Sequence, residues 1–206
     1  MTPKLIVATG NAGKLREFAE ILDLPRGVLG TLADVPEVVL PEEGAEYEPN
    51  AIAKARAVAD QAGLPAIADD SGLEVDALGG APGPLSARYG GEELDDGGRV
   101  AHLLAEIAKH PGAARTARFV CIAALATPGG ETKTATGICE GEILGAPTGA
   151  GGFGYDPVFR PAGHDVSMAE LPAAEKNEIS HRGRALADLR TSILAIVGED
   201  GQGDAE

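Results

Sequence analysis

The chain has 206 residues, 44% of them apolar but only 3% aromatic, so its core is built from Ala, Val, Leu and Ile and is large enough to fold without staples. Lys and Arg total 17 against 32 Asp and Glu, a net charge of −15, which argues against a nucleic-acid surface dominated by phosphate contacts. A small anionic substrate is still compatible, because a few Lys and Arg can gather in one cleft of an acidic protein.

The N-terminus enters a strand pattern with no charged region and apolar core of the secretory kind. No apolar run approaches the roughly 20 residues that span a bilayer, so the expectation is a soluble, cytoplasmic protein that binds neither membrane nor nucleic acid. Cys121 and Cys139 lie in or beside apolar segments without metal-ligand spacing and read as buried free thiols.

Lys4–Thr9 (KLIVAT) reads as a short strand of the fully buried type. The turn Gly10–Gly13 follows, and Leu15, Phe18 and Leu22, with Ala19 beside them, mark an amphipathic helix closed by Pro25 and Gly27. Thr9–Lys14 (TGNAGK) therefore joins a strand to a helix, where backbone N–H groups and the helix dipole can cradle an anion. It is not a Walker A loop, because the glycine spacing is too short and Leu15 stands where Ser or Thr should follow the lysine. Lys14 near a helix start conflicts with the macrodipole, and a bound phosphate relieves that conflict.

The segment to about Leu40 reads as a loop with one or two short strands, and Asn50–Gln61 as an Ala-rich helix stopped by Gly63 and Pro65. Glu42, Glu43 and Lys54 are either solvated charges or, together, oxygen ligands for a hard cation plus a phosphate contact. Pro65–Ala68 is then a strand that ends at Asp69 and Asp70, followed by Ser71 and Gly72. This acidic pair has two readings, a strand-to-turn junction or a divalent-cation site in which one acid faces a cleft and the other anchors the turn.

Leu73–Tyr89 is rich in Gly and Pro and reads as an ordered loop, with a helix from about Arg99 to Lys109. Arg118–Thr127 is apolar on both alternating faces, which predicts a central strand. Gly129 and Gly130 turn it into Thr132–Ile143 as a hairpin. The glycine-rich stretch Gly145–Gly154 cannot be a regular element and reads as a functional loop. It leads into GGFGYDP, Gly151–Pro157, whose Phe153 and Tyr155 either stack on a nucleobase or anchor the loop in the core. A last helix, about His181–Val197, is capped by Ser180 and carries the stripe Leu186, Leu189, Ile193 and Ile196. With Lys176, His181 and Arg182 at its start, its open N–H groups form a second reader of an anion or carbonyl. Glu199–Glu206 is acidic and lacks branched aliphatic residues, and reads as a disordered tail.

Taken together, TGNAGK at 9–14, ExG at Glu42–Gly44, NAxxKA at Asn50–Ala55, ADDSGLEVDALGGAPGPLSARY at 68–89, GGFGYDP at 151–157 and EKxxISHRG at 175–183 occur in an order that resembles the inosine triphosphate pyrophosphatase family. The resemblance spans about Lys4–Val197. It implies an α/β fold, an elongated mixed β-sheet with flanking helices forming two lobes of a single domain (1–198) around a nucleotide-binding cleft, and a homodimer. It also implies Mg²⁺-dependent hydrolysis of non-canonical purine nucleoside triphosphates (ITP, dITP, XTP) to the monophosphate and pyrophosphate. By similarity Asp70 is the catalytic carboxylate, Glu42 and Asp70 hold the metal, and Asp69 supports the site. Thr9, Gly10, Asn11, Ala12, Gly13, Lys14, Lys54, Ser71 and Lys176 are implied to hold triphosphate and sugar. Phe153, Gly154, Tyr155, Asp156, His181 and Arg182 are implied to line the base pocket. Two departures stand out: Pro49 before Asn50, and the segment Asp95–Arg99 without the Asn that relatives often carry. A nucleotide-binding module without chemistry is the alternative from another class, disfavoured by three acids that a pure anion binder does not need. A pyrophosphatase for modified pyrimidine nucleotides is another, disfavoured by the SHR helix start.

Overall fold

Leu5–Val7 forms β1 and is wholly buried, as its continuous aliphatic run requires. In the computed structural model, which describes residues 2–198, β1 pairs in parallel with both β2 (Leu29–Thr31) and β3 (Ala66–Val75). β3 then runs antiparallel to β5 (Thr116–Ala126), β5 to β6 (Thr132–Ile143), and β6 to β7 (Phe159–Pro161). The two-residue β4 (Pro82–Gly83) adds to β3 off this path, so the seven-stranded mixed sheet has the order β2-β1-β3-β5-β6-β7.

Helices cover both faces. α1 (Ala12–Leu22) and α5 (His181–Gly198) place Phe18, Leu22, Leu186, Leu189 and Ile193 against Ile67, Cys121 and Leu125. α5 lies very close to β6: a Cβ on Gly137 would sit 1.9 Å from the His181 carbonyl oxygen, so only glycine permits the approach. On the other face α2 (Tyr47–Ala62) packs Ala51, Ala55 and Ala59 on Ala66, Ala68 and Ala124, small residues against small residues. α3 (Asp96–Ala108) buries Val100, Leu103 and Ile107 with Leu73, Phe119, Tyr155 and Phe159 in a separate cluster. The seven-residue α4 (Ala173–Ile179) precedes α5. No helix among the described residues is long and apolar enough to cross a membrane.

Several boundaries differ from the expectations. β3 does not end at the acidic pair: it continues through Asp69, Asp70, Ser71 and Gly72 to Val75, because every one of these residues finds a partner on the apolar β5, with Asp69 opposite Ala123 and Asp70 opposite Ile122. Long-range pairing overrides the local turn signal. The predicted loop 73–89 accordingly begins as strand and includes β4 and two short 3₁₀ turns. α1 closes at Asp23, which adopts the left-handed conformation itself, ahead of Pro25 and Gly27. α2 starts at Tyr47 rather than Asn50, with Pro49 in a first turn that needs no donor there. α3 starts three residues before Arg99, capped by the Asp95 carboxylate on Gly98 N–H. The anticipated hairpin and the Ser180 cap, which accepts from Gly183 N–H, are both present. The predicted tail, 199–206, lies outside the described residues.

Candidate active site

Because successive strand residues face opposite sides, β3 sends its two acids to different partners. Asp69 points to the side of α1 and α5 and is 1% exposed. Its Oδ2 accepts from Arg182 at 2.7 Å and lies 3.1 Å from Lys14 Nζ, while its Oδ1 has no partner among the described residues. Burial opposes its charge, yet Arg182, Lys14 and Lys54 together hold the carboxyl well below the usual range. Arg182 is equally buried, and its guanidinium also reaches Glu17 and Ser71 Oγ.

Asp70 points to the side of α2. Its Oδ2 accepts from Asn50 Nδ2 at 2.8 Å, and its Oδ1 accepts from Ser71 N–H and lies 3.7 Å from Lys54 Nζ. Here burial wins: Lys54 and Asn50 lower the Asp70 pKa less than desolvation raises it, so the carboxyl stands above its ordinary value. The cations at Oδ2 thus keep one acid ionised, while for its neighbour burial outweighs the nearby lysine and amide.

The sheet opens at this point. β1 pairs with β3 only as far as Val7 with Ile67, and β4 begins at Gly83 with Leu73, so the edge of β3 between these contacts carries no strand. A ligand lying across that gap can touch both faces of β3. Gly72 keeps β4 close beside the gap, since a Cβ there would lie 2.0 Å from the Gly83 carbonyl oxygen.

The TGNAGK loop stands at the end of β1, next to the gap. Asn11 caps α1 through Lys14 N–H at 3.0 Å, and Thr9 Oγ1 accepts from Asn11 N–H. No acid occupies the first turn of the helix, whose leading amides have no intrahelical acceptor. Amides of this kind at a helix start can hold an anion, and Lys14 Nζ, 3.1 Å from Asp69, lies on the same turn.

Beyond the loop lies a cavity of about 150 Å³, lined among others by Asn11, Lys14, Ser71, Phe153, Asp156, His181 and Arg182. It is narrower than the ~300 Å³ typical of pockets for larger ligands, a size suited to one flat ring. The half-buried Phe153 forms one wall, with Lys176 Nζ 5.3 Å and Arg182 Cζ 5.9 Å from its ring centre. Lys176 in turn pairs with Glu17 at 2.7 Å and Asp156 at 2.5 Å. Burial raises the Asp156 carboxyl, only partly offset by Lys176 and the Phe153 N–H. His181 stacks on Phe119 at 4.7 Å with its Nδ1 unpartnered, and burial with the nearby Arg182 holds its pKa well below the ordinary value.

The fold therefore gathers Thr9–Lys14, Ser71, Phe153–Asp156, Lys176, His181 and Arg182 on one side of the sheet, and Asp70 and Lys54 on the other. Tyr155 is turned into the protein: its hydroxyl donates to the Ser86 carbonyl at 2.9 Å, the anchoring alternative of the sequence reading. Glu42 is exposed, and its neighbour Glu43 is the acid that meets Lys54 Nζ, at 2.5 Å. No cluster of three or more His, Cys, Asp or Glu poised for a metal occurs among the described residues.

Sequence reasoning passed over Glu17, the buried carboxylate joining Lys176 to Arg182. An acid next to Phe18 on a helix with a buried apolar face was its one signal. It also passed over Asp96, which accepts from Gly154 N–H at 2.8 Å, and Arg99, which lines the cavity; both lie in the segment that departs from the family pattern.

Comparison with known proteins gives a consistent picture. Residues 5–192 match the Ham1 family. A dITP/XTP pyrophosphatase of Geobacter sulfurreducens is 52% identical over 92% of this chain and 96% of its own length. One from Streptomyces coelicolor is 46% identical over 95% and 99%. Among solved structures, a HAM1 protein from Coxiella burnetii superposes with a TM-score of 0.83 at 39% identity, covering 95% of this chain and all of that one. A nucleoside-triphosphatase, dITP/XTP pyrophosphatase, from Mycobacterium abscessus gives 0.71 at 46% identity, covering 90% and 97%.

Proposed function

The chain belongs to the Ham1 family, and from that premise we propose that it hydrolyses the non-canonical purine nucleoside triphosphates ITP, dITP and XTP to the monophosphate and pyrophosphate. The observation that carries this reading is the division of labour on β3: Asp69 is bound by Arg182 and Lys14 on the side of the α1 loop, while Asp70 faces Asn50 and Lys54 on the other side, beside an open sheet edge. A triphosphate seated on the α1 amides and Lys14 brings its α-phosphorus to that edge. Water adds to the α-phosphorus, the bond to the bridging oxygen breaks, and pyrophosphate leaves. Asp70 orients the water and takes its proton, a task for which a carboxyl raised above its ordinary value is suited. Lys14 and Lys54 offset the charge that grows on the phosphoryl oxygens.

The donor set fits Mg²⁺. Asp70 is a buried carboxylate, and the Glu42–Gly44 loop, tied to it through Asn50, carries two further carboxylates. Mg²⁺ is commonly held by one or two carboxylates together with substrate phosphates and water; here Asp70 and Glu42 would hold it. When bound it supplies neutralisation of the phosphoryl charge.

On the base side, Phe153 offers a stacking face, and the first amides of α5, at His181 and Arg182, offer donors to a 6-oxo group. The 6-amino group of adenine meets those donors with a donor, a buried mismatch that can reach about 10⁴-fold discrimination. The enzyme is read as a cytoplasmic homodimer whose protomer is one domain of two lobes. Pyrophosphate release from ITP, dITP, XTP, ATP and GTP, each with and without Mg²⁺, tests this function; equal rates on ATP and ITP would refute the specificity.

A further inference from the structure

Asp70 and the acidic loop come from segments far apart in sequence, and one buried side chain ties them together. Asn50, in the first turn of α2, is 5% exposed. Its Oδ1 accepts from Gly44 N–H at 2.7 Å, and its Nδ2 donates to the Gly44 carbonyl at 3.1 Å and to Asp70 Oδ2 at 2.8 Å. An amide nitrogen has two hydrogens, and both are in use. The reversed amide would set its oxygen against two acceptors, so the network admits one orientation.

We propose that Asn50 is a positioning residue for the hydrolysis, joining Asp70 and the Glu42–Gly44 loop into one unit so that both sets of carboxylates meet the reacting phosphate in a fixed relation. The inference rests on the function proposed above. It follows from what else holds this loop. Glu46, the N-cap of α2, makes no side-chain cap, and apart from Asn50 the loop has Arg88 on the Glu43 carbonyl at 3.2 Å and the Glu43–Lys54 pair. Among the described residues, Asn50 is the one that grips both the N–H and the C=O of Gly44. The same amide occupies Asp70 Oδ2, which turns Oδ1, held by Ser71 N–H at 3.1 Å, toward Lys54. Without Asn50 every catalytic group survives, but the spacing between Asp70 and the loop is no longer set. Misplacement of reacting groups by about 1 Å can cost about 100-fold in rate. Most of the proposed nucleotide contacts come from the α1 loop and the start of α5, and Lys54, the contact on α2, has its own partners in Glu43 and Asp70, so Asn50 touches none of them directly.

The test is steady-state ITP hydrolysis by the full chain carrying Asn50→Ala or Asn50→Asp, with the melting temperature of each. Asp is isosteric and keeps the bond from Gly44 N–H, but it loses both donations and faces Asp70 with like charge. The expected result is a fall in kcat of about 100-fold in each variant with KM for ITP changed less than threefold. A kcat within threefold of the parent in either folded variant, or a loss carried by KM, overturns the assignment; if Ala prevents folding, Asp decides alone. A parent protein that releases no pyrophosphate refutes the proposed function instead, so the two failures are distinct.

Discussion

Gly13, in the first turn of α1, and Phe153, in the glycine-rich loop, are packed together so closely that a Cβ on Gly13 would lie 2.7 Å from the Phe153 ring. The first turn of α1 and the aromatic wall of the cavity are thus in direct contact. Gly13→Ala must move the ring, at an overpacking cost of about 1–3 kcal/mol. We expect KM for ITP to rise about tenfold or more with little change in kcat, measured by steady-state kinetics. An unaltered KM would show that the ring moves without consequence for the base.

The adjacent acids separate by substitution. Asp69→Asn breaks a fully buried ion pair and is expected to cost roughly 3–5 kcal/mol in urea unfolding, because Arg182 is left undercompensated. Asp70→Asn removes a charge that burial already disfavours. Its stability should be unchanged or higher, with turnover reduced by about 10³-fold and nucleotide binding retained in calorimetry. The reverse pattern would exchange the roles assigned to the pair.

His181 makes stability pH-dependent above the carboxylate range. Its pKa in the folded protein lies well below the ordinary value, so as pH falls through about 6.5 the unfolded chain takes up a proton that the folded chain refuses. The contribution is complete above about pH 7.5 and is lost as pH drops toward the folded value, at up to about 1.4 kcal/mol per pH unit. Urea titrations between pH 8 and 5 should show this slope in the parent and a shallower one in His181→Gln.

Glu42 makes its contribution only once the metal is present, on the reading above. Chelation of divalent ions should abolish pyrophosphate release and added Mg²⁺ restore it. Glu42→Gln should raise the Mg²⁺ concentration for half-maximal rate by about tenfold. If Glu43→Gln shows that shift and Glu42→Gln does not, the ligand is the acid that pairs with Lys54.

Tyr155→Phe deletes a buried bond to the Ser86 carbonyl. A loss of about 1 kcal/mol in stability with unchanged KM is expected. A large rise in KM for ITP would place the hydroxyl at the base instead.

Most helices and both long strands of the β5–β6 hairpin were legible because their signals are local: the Leu15, Phe18, Leu22 spacing, the Ala-rich α2, the unbroken aliphatic β5 and the Gly129–Gly130 turn. The misreading of β3 has the opposite cause. Asp, Asp, Ser and Gly in succession carry every local mark of a turn, and only β5 alongside and cations from both faces make them strand.

By itself, then, the sequence determined the order of most elements and supplied the motifs whose family resemblance singles out candidate site residues, since periodicity and motif spacing are properties of the chain alone. Tertiary structure decided what each of those residues faces. The alternation of β3 sends Asp69 to Arg182 and Lys14 and Asp70 to Asn50 and Lys54. The early end of β1 opens the sheet edge between the two sides. Charge compensation in a buried site depends on distances between segments that meet only in the fold. That is why two identical, adjacent carboxylates end with opposite pKa shifts.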